Sequence, residues 1–334
     1  MKKIALLGAA HIHTPDFVRR LLARKDFNVV GVWDHDSERA HLNAQKFGCK
    51  ICSSVDELLK LDALDAVIVC AETNRHEQIL AKVAQAGKHC FVEKPLGMGK
   101  ADSERMDRAL TESGVLFQTG YFNRSRSAYR KIKQLIDSDS FGSISRIRLN
   151  NYHAKNLKEG FEGWLWMTDM EQAGVGAFGD LGTHVLDILL WFMNDLEAVA
   201  ATFSSPVGRY PNCDESGEAL LKFKSGVVAS IAAGWVDLAM PLTAEVSGTK
   251  AYAYVIKDDL YLVSDDIEDA NANTPFKDVP ESLPHAFDLF LDSVHSGDST
   301  NLVTAKEAAY RSTVMEAIYE AAATRKWVNV EQYN

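Results

Sequence analysis

Five short apolar runs, at residues 3–7, 28–33, 66–70, 90–92 and 115–119, punctuate the first 120 residues of this 334-residue chain. Helical patterns lie between most of them, over about 15–25, 37–47, up to 86 and 101–113, with Gly48, Gly87 and Gly114 as stops. A short, uniformly apolar strand that leads into a helix does not return as a hairpin; it crosses over to a parallel neighbour. The alternation therefore predicts a doubly wound, mostly parallel α/β sheet over residues 1–120.

After Gly120 the pattern changes. A helix over about 126–138 leads to Gly142, and residues 144–151 then alternate apolar and charged, as in a sheet with one solvated face. Similar runs recur at 198–203, 219–223, 227–233, 243–247 and 251–256, with no helix between them. Residues 121–334 thus read as a second, α+β domain built on an open-faced, mostly antiparallel sheet, with helices opening near Pro280–Pro284 and at Thr304, and a last strand at 327–330.

The chain's start has the layout of a dinucleotide-binding unit: strand, Gly8 turn, a helix opened by Thr14 as N-cap and Pro15, second strand, Asp34. Of the usual three glycines only Gly8 is kept; Ala10 and His13 hold the other positions. Gly8, Ala10, His11 and Ile12 would face the pyrophosphate and Asp34 the adenine ribose, so this is expected to be a Rossmann domain. A carboxylate at Asp34 would repel a 2′-phosphate, which favours NAD over NADP. An H-x-H after a first strand also opens some metal-dependent hydrolases, but no series of further ligands follows at later strand ends, and no metal site is expected.

Two stretches carry chemistry. The strand 90–92 ends on Glu93-Lys94-Pro95, at the carboxyl edge where open α/β sheets bind ligands, and the proline favours an extended Lys94. Residues 174–184, GVGAFGDLGTH, lead into a helix that places Asp180 and His184 at i and i+4, with Asp187 close to the same face.

Together the VEKP corner and the GxGAxxDxGTH segment resemble the glucose-fructose oxidoreductase, inositol dehydrogenase and MocA (Gfo/Idh/MocA) family, over a layout running from Lys3 to about Val330. The resemblance implies that Lys94, Asp180 and His184 act on the substrate, that Glu93 and His76 lie by the cofactor, and that the protein is a homodimer or homotetramer packed through its open sheet. The chain departs from the family pattern at Ala10, His13 and Val175, and at Glu72-Thr73-Asn74, where Pro-Asn is usual. A mechanism follows from the residue types. His184 takes the proton of a secondary hydroxyl as hydride leaves the same carbon, Lys94 stabilises the developing oxyanion, and Asp180 orients the imidazole. Tyr121, Asn123, Tyr152, His153, Trp164, Trp166 and Trp235 offer aromatic faces and hydrogen bonds suited to a sugar ring.

The expected activity is NAD-dependent interconversion of an alcohol and a ketone on a sugar, cyclic polyol or glycoside. Ala10-His11-Ile12-His13 and Val32-Trp33-Asp34-His35-Asp36 more weakly resemble relatives that form 3-keto glycosides. The alternatives are a non-catalytic NAD-binding regulator and an NAD-dependent glycosidase. A formal net charge of -10 argues against nucleic acid or an anionic membrane as partner. The five cysteines, including Cys49 and Cys52 in a CxxC, form no disulfide framework; with no signal peptide and no run long enough to span a bilayer, a cytoplasmic location is expected.

Overall fold

The structure, a computed structural model, describes residues 1–331. Its strands are β1 (Lys2–Leu7), β2 (Phe27–Trp33), β3 (Lys50–Ile51), β4 (Ala66–Val69), β5 (His89–Val92), β6 (Phe117–Thr119), β7 (Ile144–Tyr152), β8 (Leu196–Ser204), β9 (Ser216–Phe223), β10 (Val228–Gly234), β11 (Leu242–Gly248), β12 (Tyr252–Ile256), β13 (Asp259–Val263) and β14 (Val328–Asn329). The first six form one sheet in the order β3-β2-β1-β4-β5-β6, every pair parallel. This is the doubly wound sheet the alternation predicts, and its order reverses beside β1, where such sheets bind dinucleotides.

Both faces of this sheet are covered. Phe17 and Leu21 of the helix Thr14–Ala23 pack on one face with Ile4, Leu6 and Phe91. Leu80 and Val83 of the helix His76–Gln85, with Met106 and Leu110 of Lys100–Ser113, cover the other. Two later segments complete these layers. Phe287, Phe290, Leu291 and Val294 of the helix Ala286–Ser296 join the first, Phe17 stacking on Phe287 at 4.5 Å, while Ala305, Ala308 and Ala309 at the start of the helix Ala305–Thr324 join the second. The chain therefore returns to its first sheet after leaving it for some 160 residues.

The second sheet runs β13-β12-β11-β7-β10-β9-β8-β14 and is antiparallel except where β10 pairs with β7. One face is buried by the helices Ser127–Asp137 and Ala177–Phe192 and by Val314, Met315, Ile318 and Ala321 of Ala305–Thr324. The other is bare, with Leu220 and Val228 each 49% exposed and Tyr254 stacked on Tyr261 at 5.0 Å. Every residue of Ala177–Phe192 except Trp191 is buried. The stretch Met170–Phe192 passes for a membrane span by length and composition alone, yet most of it is buried inside this fold, as the core helix of a globular domain is.

Some local expectations are corrected. The N-cap before Pro15 is His13, not Thr14, which is already helical. The short helix Val55–Leu59 and the strands β3 and β13 had no periodic signal long enough to read. The helix expected at Pro280–Pro284 starts at Ala286, capped by the His285 side chain, which accepts from the Phe287 N–H.

Candidate active site

The two motifs meet between the sheets. The Lys94-Pro95 bond is cis, and Lys94 leaves β5 with its side chain only 2% exposed. Its ammonium donates to Asp180 Oδ1 at 2.6 Å and to the Asp180 carbonyl at 3.2 Å. Asp180 Oδ2 accepts from Trp235 Nε1 at 2.9 Å. Burial alone would raise the Asp180 pKa, but the adjacent Lys94 charge and these hydrogen bonds hold it well below the usual carboxylate range.

His184, one turn on, is 3% exposed, and among the described residues its Nδ1 has no hydrogen-bond partner. Burial, reinforced by the Lys94 charge, pushes it well below the ordinary imidazole range, so it is neutral at pH 7. Its ring lies 5.1 Å from Phe122 and 6.2 Å from Tyr121. The expectation that Asp180 orients His184 is corrected. Asp180 Oδ1 is taken by Lys94, whose full charge outcompetes a neutral ring on the same helix, and its Oδ2 by the Trp235 indole. Asp187 belongs to another network. It is fully buried, bidentate to Arg124 at 2.6 and 2.9 Å and bonded to Arg311 at 3.0 Å, which ties the helix to Ala305–Thr324.

The N-terminus of this helix is clamped by two residues the sequence did not point to. Asp214 Oδ2 accepts from the Phe178 N–H at 2.6 Å, and the Tyr319 hydroxyl accepts from the Gly176 and Gly179 N–H groups at 2.8 and 3.2 Å while donating to Asp214 Oδ1 at 2.9 Å. A side chain at Gly176 would overlap Asp214, which is why the glycine-rich approach is needed.

The glycine turn keeps its one essential glycine. Gly8 has φ +78°, and a Cβ there would meet Ala71 at 2.6 Å. Ala10 and His11 are buried behind it, Ile12 packs against the second core, and the Ala10 carbonyl accepts from Trp166 Nε1 at 2.9 Å. His13 Nδ1 lies 3.0 Å from Glu93 Oε1, whose other oxygen accepts from the Lys94 N–H at 2.8 Å. Burial opposes ionisation of Glu93, but His11, His13 and Lys94 hold its pKa well down; burial takes His11 down to about 3. His11, His13 and Glu93 offer ligand atoms within 4.8 Å of one another, so the H-x-H pair gains a third member from 80 residues further along the chain. The His11 Nδ1 lone pair, however, already accepts from the His13 N–H at 3.2 Å.

His76 is buried with its ring nitrogens 3.0 and 3.2 Å from the Leu96 and Ala71 carbonyls, a strut between two loops rather than a group turned to a cofactor. Trp235 is wholly buried and Tyr121 nearly so, its hydroxyl bonded to Thr183 at 2.8 Å; both support the site from behind, which corrects their expected place in its lining. Asn123 is buried in the turn Phe122–Ser125, whereas Tyr152, His153, Trp164 and Trp166 keep part of their surface accessible.

The donor set fits a dinucleotide. A tight turn at Gly8 leads to a ten-residue helix, and a buried acid follows β2. With a charged donor and a neutral imidazole at the adjoining strand edge, this defines a pyridine-nucleotide oxidoreductase. The comparisons agree. The family described as "Oxidoreductase family, NAD-binding Rossmann fold" matches residues 2–121, and the "GFO/IDH/MocA C-terminal domain" matches residues 129–254. The 1,5-anhydro-D-fructose reductase of Ensifer adhaerens is 30% identical over 254 residues, 75% of this chain and 74% of that protein. The myo-inositol 2-dehydrogenase of Thermotoga maritima is 26% identical over 235 residues, 69% and 67% of the two chains. In fold, levoglucosan dehydrogenase, solved with NADH and L-sorbose, superposes with a TM-score of 0.83 at 20% identity over 99% of both chains. The chain belongs to the Gfo/Idh/MocA family and is an oxidoreductase with an NAD-binding Rossmann domain.

Proposed function

We propose that the protein interconverts a secondary hydroxyl and a ketone on a sugar, cyclic polyol or glycoside. The observation that carries this reading is that Lys94 and His184, both next to Asp180 in space or on its helix, each have unused hydrogen-bonding capacity. Lys94 has three N–H donors, and Asp180 takes two. The third is left for a substrate oxygen, and His184, one turn on from Asp180, is a neutral base with an unpartnered ring nitrogen. Bound NAD supplies the hydride acceptor. His184 accepts the hydroxyl proton, Lys94 holds the oxygen as its charge develops, and Asp180 keeps Lys94 aimed; the reverse direction returns the proton from His184.

Two relatives bear names of sugar or inositol enzymes, and the partly open Trp164, Trp166 and Tyr152 are side chains that suit a sugar's apolar face. Oxidation to a 3-keto glycoside is the narrower version, and assembly through the bare sheet face, with its exposed Leu220 and Val228, goes with the same reading. The test is a panel of sugars, polyols and glycosides assayed with NAD and NADH. No turnover across the panel, with NAD bound, would favour the sensing regulator; hydrolysis without accumulated NADH would favour the glycosidase. His184→Asn should lower kcat about 10²–10⁴-fold with NAD affinity kept, and near-normal turnover would remove His184 from the role of base.

A further inference from the structure

The acid that ends β2 is already fully engaged. Asp34 Oδ2 accepts from the Ala9 N–H at 2.8 Å and from Arg39 Nε at 3.1 Å; Oδ1 accepts from the Asp36 N–H at 2.9 Å and from Arg39 Nη2 at 2.9 Å. A carboxylate offers about four acceptor positions, so hydroxyl groups arriving at Asp34 must displace something. The backbone donors are fixed by the turn, whereas Arg39 is a partly exposed, flexible side chain, so Arg39 is the group that yields.

Arg39 has a second holder. Its Nη2 donates to Glu72 Oε1 at 2.8 Å, and Glu72, just past β4, is only 3% exposed. Among the described residues Glu72 Oε2 has no hydrogen-bond partner; Arg75 stands 3.4 Å away, and His35 Nε2 lies 3.5 Å from Oε1. Two buried carboxylates thus flank one arginine at the place where a βαβ unit meets the adenine ribose.

We infer that Glu72, acting through Arg39, sets the choice of cofactor. When ribose hydroxyls take Asp34, Glu72 keeps Arg39 parked. When a 2′-phosphate approaches, the arginine that would bind it is held by Glu72, whose own charge adds to the repulsion from Asp34. Glu72 is a positioning residue here. The inference rests on NAD binding at this turn, which the same experiment measures independently.

The experiment is equilibrium titration of the full-length protein with NAD and with NADP, followed by calorimetry, for the wild type, Glu72→Gln, Arg39→Ala and the double variant. Glu72→Gln is expected to tighten NADP binding tenfold or more while changing NAD binding less than threefold. Arg39→Ala in the Glu72→Gln background should abolish that gain, because the freed arginine is its source. An unchanged NADP affinity in Glu72→Gln, or a gain that survives loss of Arg39, overturns the inference while leaving NAD binding intact. Absence of NAD binding in the wild type would overturn the cofactor assignment itself.

Discussion

Asp180→Asn removes one charge and little else, which makes it a sharp probe of the site. Asp180 has one oxygen bonded to Lys94 and the other to Trp235, and an amide can match only one of them. With its oxygen towards Lys94, its NH₂ faces the Trp235 N–H, and a buried indole donor is orphaned at a cost of about 1–3 kcal/mol. The Lys94 ammonium also loses its counter-charge, and breaking a buried ion pair costs roughly 3–5 kcal/mol, part of which the amide oxygen retains. A loss of about 4 kcal/mol is expected. With an unfolding entropy near 2.1 cal/mol/K per residue, the 334 residues give about 0.7 kcal/mol/K, so Tm should fall by about 6 °C. Lys94→Met should cost a similar amount by stranding Asp180, but the double variant strands no charge and should be less destabilised than the sum of the two by at least about 2 kcal/mol. Calorimetric melting of the four proteins measures this. Additive losses would refute the reasoning, since they would mean that the two charges do not depend on each other.

Stability should also depend on pH in a defined window. His11, His76, His153 and His184 are all held below the ordinary imidazole value by burial, so each is neutral in the fold and gains a proton on unfolding. Their contribution is complete above about pH 6.5 and falls as pH drops towards the folded values, by about 1.4 kcal/mol per pH unit for each site; carboxylates add to the loss only below about pH 4.5. Urea midpoints unchanged between pH 7 and 5 would contradict this. Tyr319→Phe frees two backbone donors at the start of the helix Ala177–Phe192 and should cost about 1–3 kcal/mol, with kcat falling more than KM rises; an unaltered melt and unaltered kinetics would show that the clamp does not set the helix.

What was legible in the sequence was local. The alternation of 2- and 3.6-residue periods gave the parallel sheet, and the motif spacing placed Lys94 at a strand end and Asp180 and His184 on one helix, because strand ends and i, i+4 spacings follow from short-range geometry. What was not legible depends on contacts across long separations. That Asp180 serves Lys94 rather than His184 is decided 86 residues away, and the Arg39–Glu72 pair joins positions 33 apart with no shared pattern. Trp235 looked like a pocket residue because an aromatic on a strand reads alike whether it faces a ligand or a buried acid. The β3 and β13 strands and the helix Val55–Leu59 were too short for periodicity to register.

The helix Ala305–Thr324 lays its first turns in one core and its last in the other, and Ala286–Ser296 before it finishes a layer begun at the amino terminus. The two halves are thus interleaved along the gene. A fragment ending near residue 121 would expose apolar faces that Phe287, Phe290, Ala308 and Ala309 cover in the intact chain, and a chimera that exchanged nucleotide domains between relatives would have to carry two separate stretches of sequence to keep its packing whole.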